Sequence, residues 1–392
     1  MRRATPPVVG QFPGGVESLL GRFDPAVVAA AAVVASLLLV AAALFVRRRL
    51  RPPGSSLRRH LKRYDDVAVL MHPNPDPDAM ACALGVAHLA ESVGTDATLQ
   101  YPGEIRHQEN RAFWTVLDLD LNRIERAADI DAEEVVLVDH NEPRGFEGSE
   151  TINPFAVVDH HPKRGTGSAF TDVRPDYGAC ASIVAEYFES LNAERVPPDE
   201  TASGDGLVLP WDVATGLLYG ILSDTKHLTK GCSGAEFAAS EYLYPVVDED
   251  ALNRIANPQV DADVLDLRAK AIDERRVDPP FAVSDVGEVS NVDAIPQAAD
   301  ELVDLEGVTA VVVLGRKDGT IHLSGRSRDD RVHMGRVLGV VLDDIPMASG
   351  GGHARMGGGT ISVEHMEGIG PSEGLTEEQL HQRLFEAMAG EQ

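Results

Sequence analysis

Positive charge is scarce in this sequence: 35 Lys plus Arg stand against 62 Asp plus Glu, a formal net charge of −27 over 392 residues. That balance argues against a broad electropositive surface for duplex nucleic acid. Lysine is the scarcest cation, with six in all (Lys62, Lys163, Lys226, Lys230, Lys270 and Lys317). An acid-rich, lysine-poor chain resembles proteins that work in concentrated salt, where charge repulsion is screened within a few ångströms. Cysteine is nearly absent too. Cys82, Cys180 and Cys232 lie too far apart for a CxxC, a zinc finger or a disulfide framework, which points to a reducing compartment. Aromatic residues make up 5% of the chain, yet 43% is hydrophobic, so it is too long and too apolar for a disordered tail. No internal repeat is visible, and the length suits two domains with an extra segment.

The extra segment is a run without charge. Residues 26–46 (AVVAAAAVVASLLLVAAALFV) contain nothing more polar than Ser36, and at about 1.5 Å per residue they match a bilayer core of about 30 Å. A cleaved signal peptide and a buried core helix are the rival readings. The run is long for a signal and is followed at once by Arg47, Arg48, Arg49 and Arg51, with Arg58, Arg59, Lys62 and Arg63 beyond. Its other side carries Arg2, Arg3 and Arg22 against Glu17 and Asp24. The positive-inside rule then predicts a single-pass anchor in the cell membrane, with the large C-terminal region facing the cytoplasm.

After residues 52–56 (PPGSS) hydrophobic strands alternate with helical patterns. Strands are expected at 67–71 (VAVLM), 97–101, 134–138 (EVVLV) and 155–158 (FAVV), with helices at 78–89, 109–116, 179–191 and 213–222. This alternation predicts an α/β fold with a parallel, doubly wound sheet and ligands at the carboxyl ends of its strands. Residues 193–206 read as a surface loop, and the acidic helical stretch within 246–278 as a connector. Beyond it, strands at 281–289 and 309–326, the latter folded into a hairpin at Lys317-Asp318-Gly319, a helix at 333–342 and a glycine-rich segment at 350–359 predict a smaller α+β domain. The expected organisation is a tail at 1–25, a transmembrane helix at 26–46, a basic linker at 47–63, a catalytic domain at 64–245, a connector at 246–278 and a substrate-binding domain at 279–392.

Four polar clusters follow apolar runs: His72-Pro-Asn-Pro-Asp76-Pro-Asp78, Asp139-His-Asn-Glu142, Asp159-His160-His161 and Ser223-Asp224-Thr225. Any one acid or histidine here could be a helix cap or a core residue. Four such clusters in this order do not arise from capping alone. Carboxylates and imidazoles without thiolate form a mixed oxygen and nitrogen ligand set suited to Mn²⁺, with Co²⁺ or Mg²⁺ as alternatives. Six or more converging ligands exceed the need of one ion, and paired ions can activate water and clamp a phosphoryl group.

His72-x-x-x-Asp76-x-Asp78, Asp139, Asp159-His160-His161 and Asp224 resemble the four motifs of the DHH phosphoesterase superfamily, and Gly350-Gly351-Gly352-His353 resembles the signature of its DHHA1 substrate-binding domain. The resemblance covers about residues 64–365. It implies that His72, Asp76 and Asp139 hold one metal, and that Asp78, Asp139, His160 and Asp224 hold the other, with Asp139 bridging. It further implies that His161 acts beside the substrate phosphate as hydrogen-bond donor or general acid, and that Asp159 orients a ligand histidine from behind. Arg326, Ser327 and Arg328 resemble the family's phosphate-gripping segment, for which the planar guanidinium is suited. The glycines at 350–352 imply close backbone approach to an anion, with His353 reaching the nucleotide.

Pro77 stands where the family commonly has Gly, and Cys82 where a small hydroxyl residue is frequent; neither removes a ligand. The Asp139-His-Asn-Glu142 cluster also resembles manganese inorganic pyrophosphatases, but their basic C-terminal phosphate motif is missing and the Gly-Gly-Gly-His is present. The resemblance therefore implies a short nucleotide phosphoester: a small oligoribonucleotide, 3′-phosphoadenosine 5′-phosphate or a cyclic dinucleotide. Long-strand binding, which depends on many phosphate contacts, suits this acidic chain poorly. The expected partners are that substrate and the membrane through residues 26–46, with no long duplex, and a homodimer is compatible with the reading. The alternatives are a pyrophosphatase-like hydrolase and a nonhydrolytic nucleotide sensor tethered to the membrane.

Overall fold

A computed structural model describes residues 33, 34, 36, 39, 52–162, 164–366, 368 and 374–390. The anchor expected at 26–46 lies outside the described residues except for Val33, Val34, Ser36 and Leu39, as do the tail at 1–25 and the arginines at 47–51. Among the described residues no helix is long and apolar enough to cross a membrane.

The chain divides into two compact units between Ala256 and Asn257. In the first, the elements run α1 (Pro53–Leu61), β1 (Asp66–Leu70), α2 (Pro77–Glu91), β2 (Asp96–Pro102), α3 (Gln108–Val116), β3 (Leu121–Ile124), β4 (Glu134–Val138), β5 (Ala156–Asp159), β6 (Phe170–Val173), α4 (Cys180–Ser190), β7 (Glu194–Val196), β8 (Val208–Pro210), α5 (Trp211–Asp224), α6 (Gly234–Leu243) and α7 (Glu249–Ala256). Strands β1 to β6 form one sheet in the order β3-β2-β1-β4-β5-β6, with every pair parallel. The unbroken apolar runs of β1 and β4 follow from their central place, because both faces of a parallel sheet are covered. The order reverses between β1 and β4. At such a switch point adjacent strand ends leave a crevice for ligands.

The two faces are covered differently, which modifies the expectation of a doubly wound layer structure. One face carries Val67, Val69, Met71, Val136 and Val158, and helices α1 to α6 contribute core residues to it. The other carries Ala68, Leu70, Ile124, Leu137 and Val157, closed by Ile130, Phe146 and Ile152 from connecting segments. Links of that kind leave no room for a helix; short 3₁₀ turns at Ala127–Asp129 and Ser149–Thr151 stand there instead.

Residues 193–206, expected as a loop, begin in a strand: β7 pairs in parallel with β8, which lies just beyond the interval. The stretch expected as a connector is also divided, since α7 belongs to the first unit and the next helix to the second.

The second unit contains α8 (Ala262–Asp273), β9 (Arg275–Asp278), β10 (Phe281–Glu288), α9 (Ala294–Leu302), β11 (Ala310–Lys317), β12 (Thr320–Ser327), α10 (Met334–Leu342), β13 (Ser349–Gly352), β14 (Met356–Ser362), α11 (Val363–Met366) and α12 (Glu377–Ala389). Its sheet runs β13-β14-β12-β11-β10-β9, parallel only between β10 and β11. Helices α8 and α9 pack on one face through Val311 and Val313, and α10 and α12 on the other through Val312 and Leu314. The glycine-rich segment at 350–359 is a β-hairpin at the sheet edge. A Cβ on Gly350 would lie 2.6 Å from the carbonyl oxygen of Leu338, and one on Gly335 would lie 2.3 Å from that of Gly352. These glycines therefore let helix α10 and the hairpin meet backbone to backbone, a contact no side chain could share. Gly351 faces open space.

Candidate metal centre

Strands β1, β4 and β5 end side by side and deliver His72, Asp139 and Asp159-His160-His161 to one rim of the first unit. Asp224 joins them from the C-terminal end of helix α5. The first cluster is also a helix start: Asp76 caps α2 by accepting from the Ala79 amide at 3.1 Å, and Pro77 follows it with a preset φ. Asn110 holds this turn by donating to the Pro75 carbonyl at 2.9 Å. Asp139 has a left-handed backbone, φ 58°, while its amide donates to Val158 at 3.0 Å. Aspartate enters that region more readily than most side chains, and non-glycine residues held there cluster at functional sites.

The six expected ligands converge. His72 Nε2 lies 3.6 Å from Asp76 and 3.3 Å from Asp139 Oδ2, while His160 Nε2 lies 3.3 Å from Asp139 Oδ1, 3.4 Å from Asp224 and 4.0 Å from Asp78. Asp139 is thus flanked by a histidine on each carboxylate oxygen. The groups His72/Asp76/Asp139 and Asp78/His160/Asp224 each bring their donor atoms within 4.8 Å of one another. The remaining bonds orient them outward from the frame. His72 Nδ1 lies 3.0 Å from the Pro73 carbonyl and His160 Nδ1 lies 3.2 Å from that of Tyr177, which leaves both Nε2 atoms toward the centre. Asp78 is fully buried and accepts from the amides of Cys180 and Ala181 at 2.7 and 2.8 Å, at the positive end of α4.

The chemistry of this donor set fits a pair of divalent cations. Asp139 Oδ1 and His160 Nε2 are buried and face each other at 3.3 Å without a well-formed hydrogen bond, a costly arrangement for a purely structural cluster. The titration pattern agrees. Burial opposes charge on His72, yet hydrogen bonds to Asp139 and Asp76 outweigh it and raise the imidazole to about 11; for His160 burial is likewise outweighed, chiefly by Asp139, to about 10. Burial, then the charges of Asp76 and Asp139, push Asp224 up to about 7, and burial with the Asp139 charge raises Asp78. Protons here occupy the place of missing positive charge, and cations would displace them. His140 behaves differently: burial lowers it to about 4, its Nδ1 lies 2.9 Å from the Val138 carbonyl, and it belongs to none of the ligand groups. Cys82 and Cys180 are also buried beside Asp78, and burial pushes the Cys180 thiol up to about 12. They serve as packing, in keeping with a thiolate-free ligand set.

Asp159 is expected to orient a ligand histidine from behind, and the histidine it holds is His161: it accepts from that residue's amide at 3.1 Å and bonds its ring Nδ1 at 2.9 Å. Both ligand histidines already have backbone carbonyls for that purpose. His161 itself is half exposed, with Nδ1 3.7 Å from Asp139, and its bond to Asp159 raises its pKa. Asn141 went unrecognised in the sequence, although it sits within the second cluster. It donates to Asp159 and accepts from Arg164 and Gly165. The only available signal was a polar residue continuing a motif after a strand end.

In the second unit the expected phosphate contacts are partnered internally. Arg326 pairs with Asp300 at 2.5 Å, Arg328 with Asp304 at 3.1 Å, and the Ser327 hydroxyl donates to the Asp329 carbonyl at 2.8 Å. The His353 amide donates to Met356 at 2.8 Å and closes the glycine hairpin.

Residues 66–221 match the model of the DHH family, N-terminal domain, and residues 278–369 match that of the DHHA1 domain. The chain thus carries a DHH domain followed by a DHHA1 domain. It is 33% identical over 327 residues to the uncharacterized protein MJ1633 of Methanocaldococcus jannaschii, covering 82% of this chain and 63% of that one. It is 28% identical over 291 residues to the cyclic-di-AMP phosphodiesterase GdpP of Geobacillus thermodenitrificans, covering 70% of this chain and 43% of that one. The chain therefore spans less than two thirds of either relative. A solved exopolyphosphatase-related protein from Bacteroides fragilis shares the fold, with a TM-score of 0.61 at 15% identity over 86% of this chain and 96% of that one.

Proposed function

We propose that the protein is a phosphoric ester hydrolase that uses two divalent cations, Mn²⁺ above all, to hydrolyse short nucleotide phosphoesters. The observation that carries this reading is the place of Asp139 between the two histidines, its Oδ2 3.3 Å from His72 Nε2 and its buried Oδ1 3.3 Å from the buried His160 Nε2. His72, Asp76 and Asp139 would hold one cation, and Asp78, Asp139, His160 and Asp224 the other. When bound, the cations supply Lewis acidity to the phosphoryl oxygens and to the attacking water. The chain's own residues do the rest. Backbone carbonyls hold the His72 and His160 rings, the α4 amides hold Asp78, and His161 stands half exposed with Nδ1 on Asp159 and Nε2 free to protonate the leaving oxygen. Arg326 and Arg328 are the residues we assign to a substrate phosphate, with Ser327, Gly350, Gly351, Gly352 and His353 beside them.

The relation to a cyclic-di-AMP phosphodiesterase supports a nucleotide substrate, and the DHHA1 match favours it over pyrophosphate. The reading also includes a membrane anchor at residues 26–46 with the hydrolase on the cytoplasmic side, testable by fractionating the expressed full chain. The deciding experiment is a panel of dinucleotides, short oligoribonucleotides, 3′-phosphoadenosine 5′-phosphate, cyclic di-AMP and pyrophosphate with Mn²⁺, at low and multimolar salt. Turnover of one or more nucleotides is expected. Preference for pyrophosphate, or tight nucleotide binding without turnover, overturns the reading.

A further inference from the structure

The Asn141 side chain has two N–H donors and two acceptor positions, and all four are used. Its amide nitrogen donates to Asp159 Oδ2 and, at 3.2 Å, to the Pro162 carbonyl; its oxygen accepts from the amides of Arg164 and Gly165, each at 3.1 Å. The residue is buried, so every one of these bonds is costly to break. Gly165 is pressed against it so closely that a Cβ there would lie 1.9 Å from the Asn141 carbonyl oxygen. Asn141 therefore ties the chain after β5 to the chain after β4.

Asp159 stands between Asn141 and His161. Its Oδ2 is taken by Asn141, and its Oδ1 by the amide and Nδ1 of His161. The Asp159 carboxylate is fully buried and can turn only by breaking one set or the other. We propose that Asn141 is a positioning residue for His161, holding Asp159 in the one orientation that fixes the His161 ring with Nε2 toward the leaving group. The proposal rests on the assignment of His161 as general acid. In that step the P–O bond to the leaving oxygen breaks and this oxygen takes the Nε2 proton. Water supplies the new oxygen on phosphorus, and one of its protons restores the ring, so one water is consumed and no proton accumulates.

Full-length protein loaded with Mn²⁺ is assayed on a dinucleotide, whose leaving group is an alcohol, and on the corresponding 4-nitrophenyl nucleotide ester, whose leaving group departs without a proton. Asn141→Ala and His161→Ala are each expected to lower kcat on the dinucleotide by about 10²-fold, with little effect on the nitrophenyl ester. KM and the number of Mn²⁺ ions bound should stay the same, and the double variant should be no slower than His161→Ala. Asn141→Asp retains the oxygen for Arg164 and Gly165 and removes the donors to Asp159 and to the Pro162 carbonyl, so it should reproduce the pattern even if Asn141→Ala folds poorly. Equal losses on both substrates for the Asn141 variants, or additive losses in the double variant, overturn the positioning role while His161→Ala keeps its leaving-group dependence. If His161→Ala itself is indifferent to the leaving group, the general-acid assignment fails and the proposal fails with it.

Discussion

The two units use their conspicuous residues in opposite ways. In the first, acids and histidines from four separate segments meet with donor atoms left over, so the cluster is incomplete without cations. In the second, the conspicuous arginines already have partners in Asp300 and Asp304, and much of the glycine run is occupied by the approach of α10. The contrast separates two kinds of readiness. The candidate metal centre is preorganised by buried bonds, whereas the arginines proposed above for a substrate phosphate would first have to leave pairs whose acids are exposed. Such pairs are worth about 0–1 kcal/mol, which a phosphate dianion can readily overcome.

The largest test of this contrast is Asp139→Asn. Losing the shared carboxylate should lower Mn²⁺-dependent turnover by on the order of 10³-fold or more, with fewer Mn²⁺ ions retained after gel filtration. Residual activity near that of the unaltered protein would remove the two-cation centre from the mechanism.

Acidity should act on the same centre. In the cation-free protein His72 is raised to about 11 and His160 to about 10 by hydrogen bonds and charges of the neighbouring acids, and Asp224 to about 7 by burial and then the charges of Asp76 and Asp139. Each of these protons must leave when a cation binds, so Mn²⁺ affinity should rise with pH by up to about tenfold per unit for each proton displaced. Calorimetry in buffers of different ionisation enthalpy counts the protons. Affinity that is flat between pH 6 and 9 breaks the prediction.

Smaller effects belong to the second unit. Arg326→Ala should raise KM by about tenfold with kcat little changed, while Asp300→Ala, which removes the acid paired with Arg326, should lower KM modestly. An unchanged KM in both variants would leave the pair as surface decoration. The glycines sharpen the comparison at the level of stability. Gly350→Ala sets a Cβ 2.6 Å from the Leu338 carbonyl oxygen and should cost about 1–3 kcal/mol, seen as a lower Tm. Gly351→Ala meets no atom within 4 Å and should leave Tm nearly unchanged.

Strong local patterns were legible. EVVLV at 134–138 is strand β4 as expected, and the hairpin at Lys317-Asp318-Gly319 joins β11 to β12, with positive φ at both Asp318 and Gly319. Weak ones were not. β3, β6, β7 and β8 have three or four residues each and carry few apolar side chains, so two-residue alternation gives them little signal. Their existence depends on a neighbouring strand offering its free edge.

By itself, the sequence determined which residues could bind cations, because carboxylates and imidazoles after buried strands have few other uses in such number. It also determined where the main strands and helices lie, through hydrophobic spacing. Only the tertiary structure decided how those residues are shared: that Asp139 faces both histidines, that Asp159 serves His161, and that Asn141 locks it. Hydrogen-bond partners across 18 residues or more, as between Asn141 and Asp159, are set by which strands become neighbours, and no local pattern records that choice. The same holds for the glycines, whose need for space is visible only once α10 lies against them.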